Sequence, residues 1–148
     1  MNGTTPPTPK PVYSESDFDS LNFHDCSILG MRWRDSAFEF VLDLQYIAKW
    51  IEPSDPTKNY RFWLCPAEMS FKNVDSADIT LRWEGLPLRC SIDELGRLSK
   101  RQTPNGTVEW QWELQLAEPD GQISLWATSF ELKILGPAVL SDVPRLNR

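Results

Sequence analysis

The sequence predicts a mainly β fold: an antiparallel meander of six or seven strands, forming a curved sheet, a sandwich or a partly closed barrel, with one or two short helices. Apolar and polar residues alternate without exception through residues 108–116, and less strictly through 38–46 and 79–83. Alternation with period two places one set of side chains on each face of a half-buried strand. Turn-forming residues separate these runs, and Asn105-Gly106 and Pro119-Asp120-Gly121 are typical of hairpins.

Weaker patterns extend this prediction. Residues 26–33 and 61–64 have the composition of further strands, and Pro66 is expected to end the second because proline cannot donate to a ladder. Within residues 122–135 the apolar positions change from odd to even numbers near Thr128-Ser129. This change predicts a β-bulge or a bend, and two strands separated by a kink would produce the same pattern.

Helix signals are few. Ser91 to Glu94 match a capping box, and Ile92, Leu95 and Leu98 have helical spacing, although Gly96 disfavours a helix there. The same segment also fits a strand over residues 88–92 followed by a turn at 94–96, so both interpretations stay open. A second short helix is expected at residues 16–21, with Ser16 as its cap.

The chain is expected to form a proline-rich mobile tail, residues 1–16, followed by a single β-rich domain, residues 17–148. Proline removes backbone donors, and four prolines lie within residues 6–11. A chain of 148 residues can bury a core without metal or disulfide support. The N-terminus lacks the apolar segment of a secretory signal and no apolar run approaches about 20 residues, so we expect a cytoplasmic protein outside the membrane.

Charge and cysteine content exclude several classes of function. With 15 basic and 21 acidic residues the net charge is −6, which disfavours binding to nucleic acid because phosphate neutralisation dominates that affinity. Three widely spaced cysteines without a CxxC pair are expected to be buried free thiols, and one histidine cannot build a histidine-rich metal site. No phosphate-binding or nucleophile-elbow motif occurs, so we expect neither cofactor nor metal.

Six residues are candidates for a binding surface: His24, Asp25, Trp50, Trp126, Glu109 and Glu113. Trp50 lies beside a proline-rich turn and Trp126 breaks the inward parity of its strand, so both are expected to be exposed, like the tryptophans that anchor interfaces. Four other tryptophans are expected in the core: Trp33, Trp63, Trp83 and Trp110. Glu109 and Glu113 share a strand face, but about 13 Å between their Cα atoms is too far for a retaining glycosidase pair.

The chain is not expected to be an enzyme. Adjacent strand residues point to opposite faces, so His24 and Asp25 would not pair if both were extended. Cys26 could share the face of His24, and a Cys-His dyad is sterically conceivable, but no oxyanion hole or motif accompanies it. The basic residues Arg97, Lys100 and Arg101 are expected to lie in a solvated loop.

A short series of motifs supports one functional hypothesis. Residues Phe23-His24-Asp25-Cys26-Ser27-Ile28 open a strand, and a second strand follows with Leu42-Asp43-Leu44. Further on, Met69-Ser-Phe71-Lys-Asn-Val74 precedes Ile79-Thr-Leu81. Over residues 21–83 this order resembles a group of small bacterial proteins with an HD-x-x-I opening, some of which are assigned as immunity proteins of polymorphic toxin systems. The resemblance transfers no catalytic residues, and it implies a protein that acts by binding.

The leading hypothesis is therefore a non-enzymatic immunity protein that neutralises a cognate bacterial toxin by protein–protein contact. A charge of −6 suits a basic toxin, because complementary charge raises the association rate and the specificity. Two alternatives stay open: a small-molecule-binding β-barrel with a tryptophan-lined cavity, and a structural subunit of a bacterial assembly. The sequence leaves the oligomeric state open.

Overall fold

The computed structural model describes residues 5–34, 38–82 and 90–144. They form one antiparallel sheet that does not close into a barrel, with very little helix, so the predicted fold class is confirmed. The strands are β1 (Val12–Ser14), β2 (Ser27–Arg34), β3 (Glu39–Ile51), β4 (Arg61–Lys72), β5 (Ser76–Leu81), β6 (Cys90–Gln102), β7 (Val108–Ala117), β8 (Gly121–Ala127), β9 (Ser129–Ile134) and β10 (Val139–Ser141), and a 3-10 helix spans Glu15–Ser20.

The strand order is β1-β9-β4-β3-β2-β6-β7-β8-β5, with β10 paired to β4. Two meanders, β2–β3–β4 and β6–β7–β8, meet at a short pairing in which Ser27 lies opposite Ser91 and Ile28 opposite Cys90. The order is not one simple meander, because β9 leaves β8 and pairs with β4 in the other half. The ten strands exceed the predicted six or seven. Strands β1 and β10 are additions, and β6 lies where a strand was one of two open interpretations.

The predicted bend near Thr128 is confirmed. Thr128 alone separates β8 from β9, and its backbone N–H and its Oγ1 hydroxyl both donate to the Lys72 carbonyl, over 3.0 and 3.2 Å. The segment between β4 and β5 bends at the same place. There the Asp75 N–H donates to the Trp126 carbonyl over 2.8 Å. We call residues 73–75 together with Thr128 the corner; it lets Ala127 and Phe130 both be buried.

Two boundary predictions in the middle of the chain are wrong. Pro66 does not end its strand: it lies between the β10 ladder, which ends at Leu64, and the β9 ladder, which begins at Ala67. Neither ladder requires a donor at that position, so a proline is tolerated there. Of the two interpretations of the segment after residue 88, the strand is confirmed from Cys90 onward and the helix is wrong. Residues 88 and 89 lie outside the described residues, and β6 continues through 94–96 instead of turning there.

The helical spacing in β6 has a structural explanation. The register shifts between Ile92 and Glu94, so that Ile92 lies opposite Leu116 and Leu95 opposite Leu114. A bulge inserts one extra residue and therefore turns a strand spacing of two into a spacing of three. A bulged strand thus reproduces the first half of a helical pattern.

The N-terminal segment is folded from an earlier residue than expected. Tyr13 lies opposite Leu132 in the β1–β9 ladder, so the proposed tail ends before residue 16. The second predicted helix is present as a 3-10 helix, but its cap is Ser14 rather than Ser16. The Asp17 carboxylate accepts a hydrogen bond from the Ser14 N–H over 2.9 Å and forms an ion pair with Lys10. Both contacts lower the pKa of Asp17. No helix among the residues described has the length and hydropathy needed to span a bilayer.

The core is centred on Trp112, which is completely buried. Its ring lies 5.6 Å from the ring of Phe130 and 5.6 Å from that of Phe71, so the two halves of the folded sheet meet there. Phe18 of the 3-10 helix packs edge-on against Trp112 at 5.2 Å and against Phe130 at 5.5 Å. The helix is thereby joined to the core through one aromatic side chain.

Several burial predictions need correction. Trp63 is buried as expected and Trp110 is half-buried, but Trp33 is 50% exposed, with its ring 5.1 Å from that of Phe40. Trp83 lies outside the residues described. Strand β5 forms as predicted, but every residue in it is exposed, because it is an edge strand paired only with β8.

Charged side chains cover the outer face of β2, β3 and β4. Arg32 contacts Asp43 at 2.5 Å and Glu68 at 2.7 Å, while Arg34 contacts Glu39 at 3.2 Å and also Glu68. Hydrogen bonding from Arg34, with further contributions from Arg32, holds the pKa of Glu68 below its ordinary value of 4.5. This network therefore favours the ionised form of Glu68 in the folded state.

We expect Phe18→Ala to lower the free energy of unfolding by about 3–5 kcal/mol, because it removes a ring that packs against Trp112 and Phe130. Urea denaturation measures the change. Phe38→Ala is the matched control, because that ring is 73% exposed and its loss should change stability by less than about 0.5 kcal/mol. Equal effects of the two substitutions would contradict the proposed anchoring of the 3-10 helix.

We expect Glu68→Gln to lower stability by about 1 kcal/mol at pH 7 and to flatten its dependence on pH. A lowered folded-state pKa gives a contribution that is complete above the unfolded value near 4.5 and is lost as pH falls through the folded value. Denaturation curves from pH 7 to pH 2 should therefore converge for the wild type and the variant at low pH. Glu52→Gln, at an exposed carboxylate, should follow the wild-type profile; parallel profiles for Glu68→Gln would refute the role of the network.

Candidate binding surfaces

The six predicted binding residues do not form one site. His24, Asp25 and Trp50 lie together at one place, Glu109 and Trp126 lie together at another, and Glu113 belongs to neither. Among the residues that the structure describes, no group of three or more His, Cys, Asp and Glu side chains is arranged to hold a metal ion.

The first place is the His24 pocket, a cavity of about 340 Å³. Its lining residues are Leu21, Asn22, Phe23, His24, Asp93, Glu94 and Leu95. Apart from His24, none of these seven residues is basic, whereas two are acidic. Asp25 adds a third carboxylate, with Oδ1 3.8 Å from His24 Nε2. The pocket therefore has a negative electrostatic potential that favours cationic groups.

A turn before β2 and the bulge in β6 together position His24. The Asp25 N–H donates to the Ile92 carbonyl over 2.8 Å, and the Ile92 N–H donates to the Cys26 carbonyl over 2.9 Å. Asp25 has φ of 64°, a left-handed conformation that aspartate tolerates better than most residues. His24 and Asp25 are thus in a turn rather than in an extended strand, so their side chains are not on opposite faces as expected.

The imidazole of His24 is held on two sides. Its Nδ1 donates to the Asp93 carbonyl over 2.9 Å, which is possible because the β6 bulge leaves Asp93 without a partner in the β7 register. Its ring stacks on Trp50, with centroids 6.2 Å apart and planes at 11°. The ring is consequently oriented although its side chain is 51% exposed.

Trp50 is half-buried rather than exposed, which corrects the prediction. Its ring packs against Phe62 at 5.0 Å and against Tyr60 at 5.9 Å, both in edge-on geometry. Tyr60 is 44% exposed and extends the aromatic surface outward from the pocket. Sequence reasoning missed Asp93, Glu94 and Tyr60, because no local pattern places them near His24.

The second place is the Arg101 cluster, consisting of Arg101, Glu109, Asp75 and Trp126. The Arg101 guanidinium lies 4.0 Å from the centre of the Trp126 ring, its Nε is 2.5 Å from Glu109 Oε1, and its Nη2 is 3.0 Å from Asp75 Oδ2. The Glu109 side chain is only 2% exposed and Trp126 is half-buried. The expectation that Glu109 and Trp126 are exposed at an open surface is therefore wrong.

The predicted basic loop is part of β6 instead. Arg97 lies over Trp110 at 4.6 Å and over Phe18 at 5.4 Å, and its Nη1 donates to the Glu15 carbonyl over 3.3 Å. Lys100 also lies over the Trp110 ring, at 5.4 Å. Arg97 therefore joins β6 to the 3-10 helix and is not a solvated loop residue.

Glu113 has a local partner only. Gln115 Nε2 donates to its Oε1 over 2.7 Å, and in the ladders it lies opposite Gly96 and Ser124. It lines neither the His24 pocket nor the Arg101 cluster. Although Glu113 and Glu109 lie on the same strand, their carboxylates therefore do not form one site.

The Cys26 thiol is buried in the core, where it accepts a hydrogen bond from the Ile47 N–H over 3.4 Å. Burial is the largest cause that raises its pKa to about 12. A nucleophilic dyad needs a thiolate within reach of the imidazole. The thiol is neutral and enclosed while the ring of His24 is exposed, so the structure contradicts a Cys26-His24 dyad.

We expect Cys26 to resist alkylation by iodoacetamide at pH 8 in the folded protein and to react readily in urea, because only the thiolate is nucleophilic. Site-resolved mass spectrometry over time measures the reaction. Half-buried Cys90 is the internal reference, and it should be labelled sooner than Cys26. Rapid native labelling of Cys26 would contradict the buried, neutral thiol.

Comparisons of the chain with protein-family models, with curated proteins and with solved structures found no match. The functional interpretation therefore depends on the geometry of these two surfaces and on the resemblance seen in the sequence.

Proposed function

We propose that the chain is a cytoplasmic, non-enzymatic bacterial immunity protein that neutralises a cognate toxin by protein–protein contact. In this proposal the His24 pocket receives a basic side chain of the toxin. The observation that carries the proposal is the His24 ring, stacked on Trp50 and bordered by Asp93 and Glu94.

The chemistry of the pocket suits an arginine or lysine of a partner protein. A guanidinium or ammonium group gains energy from carboxylates and from aromatic faces, and arginine can use both at once. Asp93 and Glu94 supply carboxylates, and the ring of His24, which stacks on Trp50, supplies an aromatic group. Within the described part of the chain, no lysine or arginine lines this pocket to compete for them.

The pocket is also prepared for binding before a partner arrives. Trp50 is held by Phe62, and the His24 ring is held by the carbonyl of Asp93. Side chains that are already ordered lose less conformational entropy on binding. Tryptophan, tyrosine and arginine dominate the energetics of protein interfaces, and Tyr60 and Trp50 here would form the aromatic part of such a contact.

The net charge of −6 supports the same proposal at longer range. An acidic protein attracts a basic partner before contact, which raises the association rate and makes binding sensitive to salt. The alternatives of a tryptophan-lined small-molecule site and of a structural subunit remain hypotheses. The described residues that line the His24 pocket, and those that line a cavity of about 640 Å³ at the corner, include no tryptophan.

Co-expression with the product of an adjacent toxin-type reading frame tests the function. We expect restored growth and a complex that co-purifies. Asp93→Lys should weaken the complex at least about tenfold, since a lost charge pair at an interface costs about 2–5 kcal/mol. The substitution keeps the backbone carbonyl that orients His24.

Asp78→Lys is the matched control, with the same change of charge at an exposed position on β5. It should retain most of the affinity and show only a modest change in association rate. Absence of both complex and rescue with the wild-type chain would refute the proposed function. Equal weakening by the two substitutions would show that net charge acts alone, and would refute the role of the pocket.

A further inference from the structure

The corner of the sheet holds a second cavity, of about 640 Å³, that shares no lining residue with the His24 pocket. Its volume lies within the range of about 300–1,000 Å³ typical of ligand pockets. We propose that this corner cavity binds a neutral or amine-bearing saccharide unit. The residues on which the proposal depends are Phe38, Asn73, Asp75, Thr107 and Glu109, all of which line the cavity.

The cavity contains a buried carboxylate. The Glu109 side chain is 2% exposed, and Arg101 Nε binds its Oε1 at 2.5 Å. Among the residues described, no donor to Oε2 of Glu109 is present. A carboxylate oxygen beside a cavity accepts hydrogen bonds from hydroxyl or ammonium groups. It can therefore bind a sugar hydroxyl or an amine.

The charge balance of the cavity disfavours anions. Arg101 is the basic partner of both Glu109 and Asp75, and the latter contact is 3.0 Å. One positive charge thus stands against two negative charges. Phosphate, sulfate or a ligand carboxylate would be repelled, whereas neutral and cationic ligands would not be. This balance separates the proposed ligand class from nucleotides and acidic sugars.

Short polar side chains supply the remaining hydrogen-bonding groups. Asn73 Nδ2 donates to Thr128 Oγ1 over 2.9 Å, and the Thr107 N–H donates to Thr103 Oγ1 over 3.1 Å. These bonds order the wall formed by the corner and by the β6–β7 turn. Hydroxyl and amide groups can each donate and accept, which matches a ring that carries several hydroxyls.

Phe38 adds an apolar face at the rim. It is 73% exposed and has φ of 47°, a conformation that bulky residues seldom adopt. The Phe38 carbonyl accepts a hydrogen bond from the Val74 N–H over 3.0 Å, which holds the backbone of Phe38 against the corner. An exposed aromatic ring beside a polar cavity can pack against the C–H face of a sugar ring. The combination of one aromatic face and several polar groups is the chemistry that the proposal uses.

Titration followed by amide NMR tests the proposal, with glucose, N-acetylglucosamine, glucosamine and glucuronate as probes up to about 50 mM, enough to detect millimolar affinity. We expect saturable shifts at Asn73, Thr107 and Glu109 with at least one neutral or amine-bearing sugar, and weaker binding of glucuronate. Absence of a saturable shift with every probe, or tighter binding of glucuronate than of glucose, would overturn the proposal.

Phe38→Ala should weaken binding of the responding sugar at least tenfold, and Thr107→Val should weaken it as well. Tyr60→Ala is the matched aromatic control, because Tyr60 is exposed beside the His24 pocket and should leave sugar binding unchanged. An unaltered affinity in both Phe38→Ala and Thr107→Val would place the sugar elsewhere and refute the site. Rescue from the toxin is measured in a separate experiment. A failure of sugar binding can therefore be told apart from a failure of the proposed immunity function.

Discussion

The bend at Thr128 is the constraint on which the rest of the molecule depends. One residue there carries the chain from β8 in one half of the sheet to β9 in the other, while its N–H and hydroxyl bind the carbonyl of Lys72. Because the partner ladder bends at the same level, the two halves can face each other across Trp112, Phe71 and Phe130. A straight ladder would leave Trp112 on an open sheet, and the corner cavity would not exist.

The arginines are distributed unevenly over the sheet. Several of them contact partly buried acidic groups or aromatic rings. Arg32 and Arg34 bind Glu68 on the outer face, Arg97 holds the 3-10 helix, and Arg101 covers Glu109 and Trp126. In each case a positive group compensates a partly buried acid or packs on an aromatic ring. Across the ranges that the structure describes, no arginine lines the His24 pocket, and Asp93 and Glu94 are its two lining carboxylates.

The two surfaces therefore differ in the ligands they can select. The His24 pocket combines the carboxylates of Asp93 and Glu94 with an oriented ring that is half-exposed to solvent, which suits the basic side chain of the proposed partner. The corner cavity combines a buried, partly compensated acid with amides and hydroxyls, which suits a small polar ring. Both surfaces are built by irregularities in strands, a bulge at Asp93 and a bend at Thr128, because such features direct backbone groups away from the ladder.

The alternation of apolar and polar residues was sufficient to predict the fold class, the strand β7 and the bend at Thr128. Both the alternation and the change from odd to even apolar positions are properties of neighbouring residues. It left the start of β6 undecided between a helix and a strand, because a bulge produces helical spacing between Ile92 and Leu95. It singled out His24, Trp50, Glu109 and Trp126 but could not pair them with Asp93 or Arg101. Those contacts arise between strands far apart in the chain, and their register is decided by the packing around Trp112 and by backbone hydrogen bonds, so only the folded sheet specifies them.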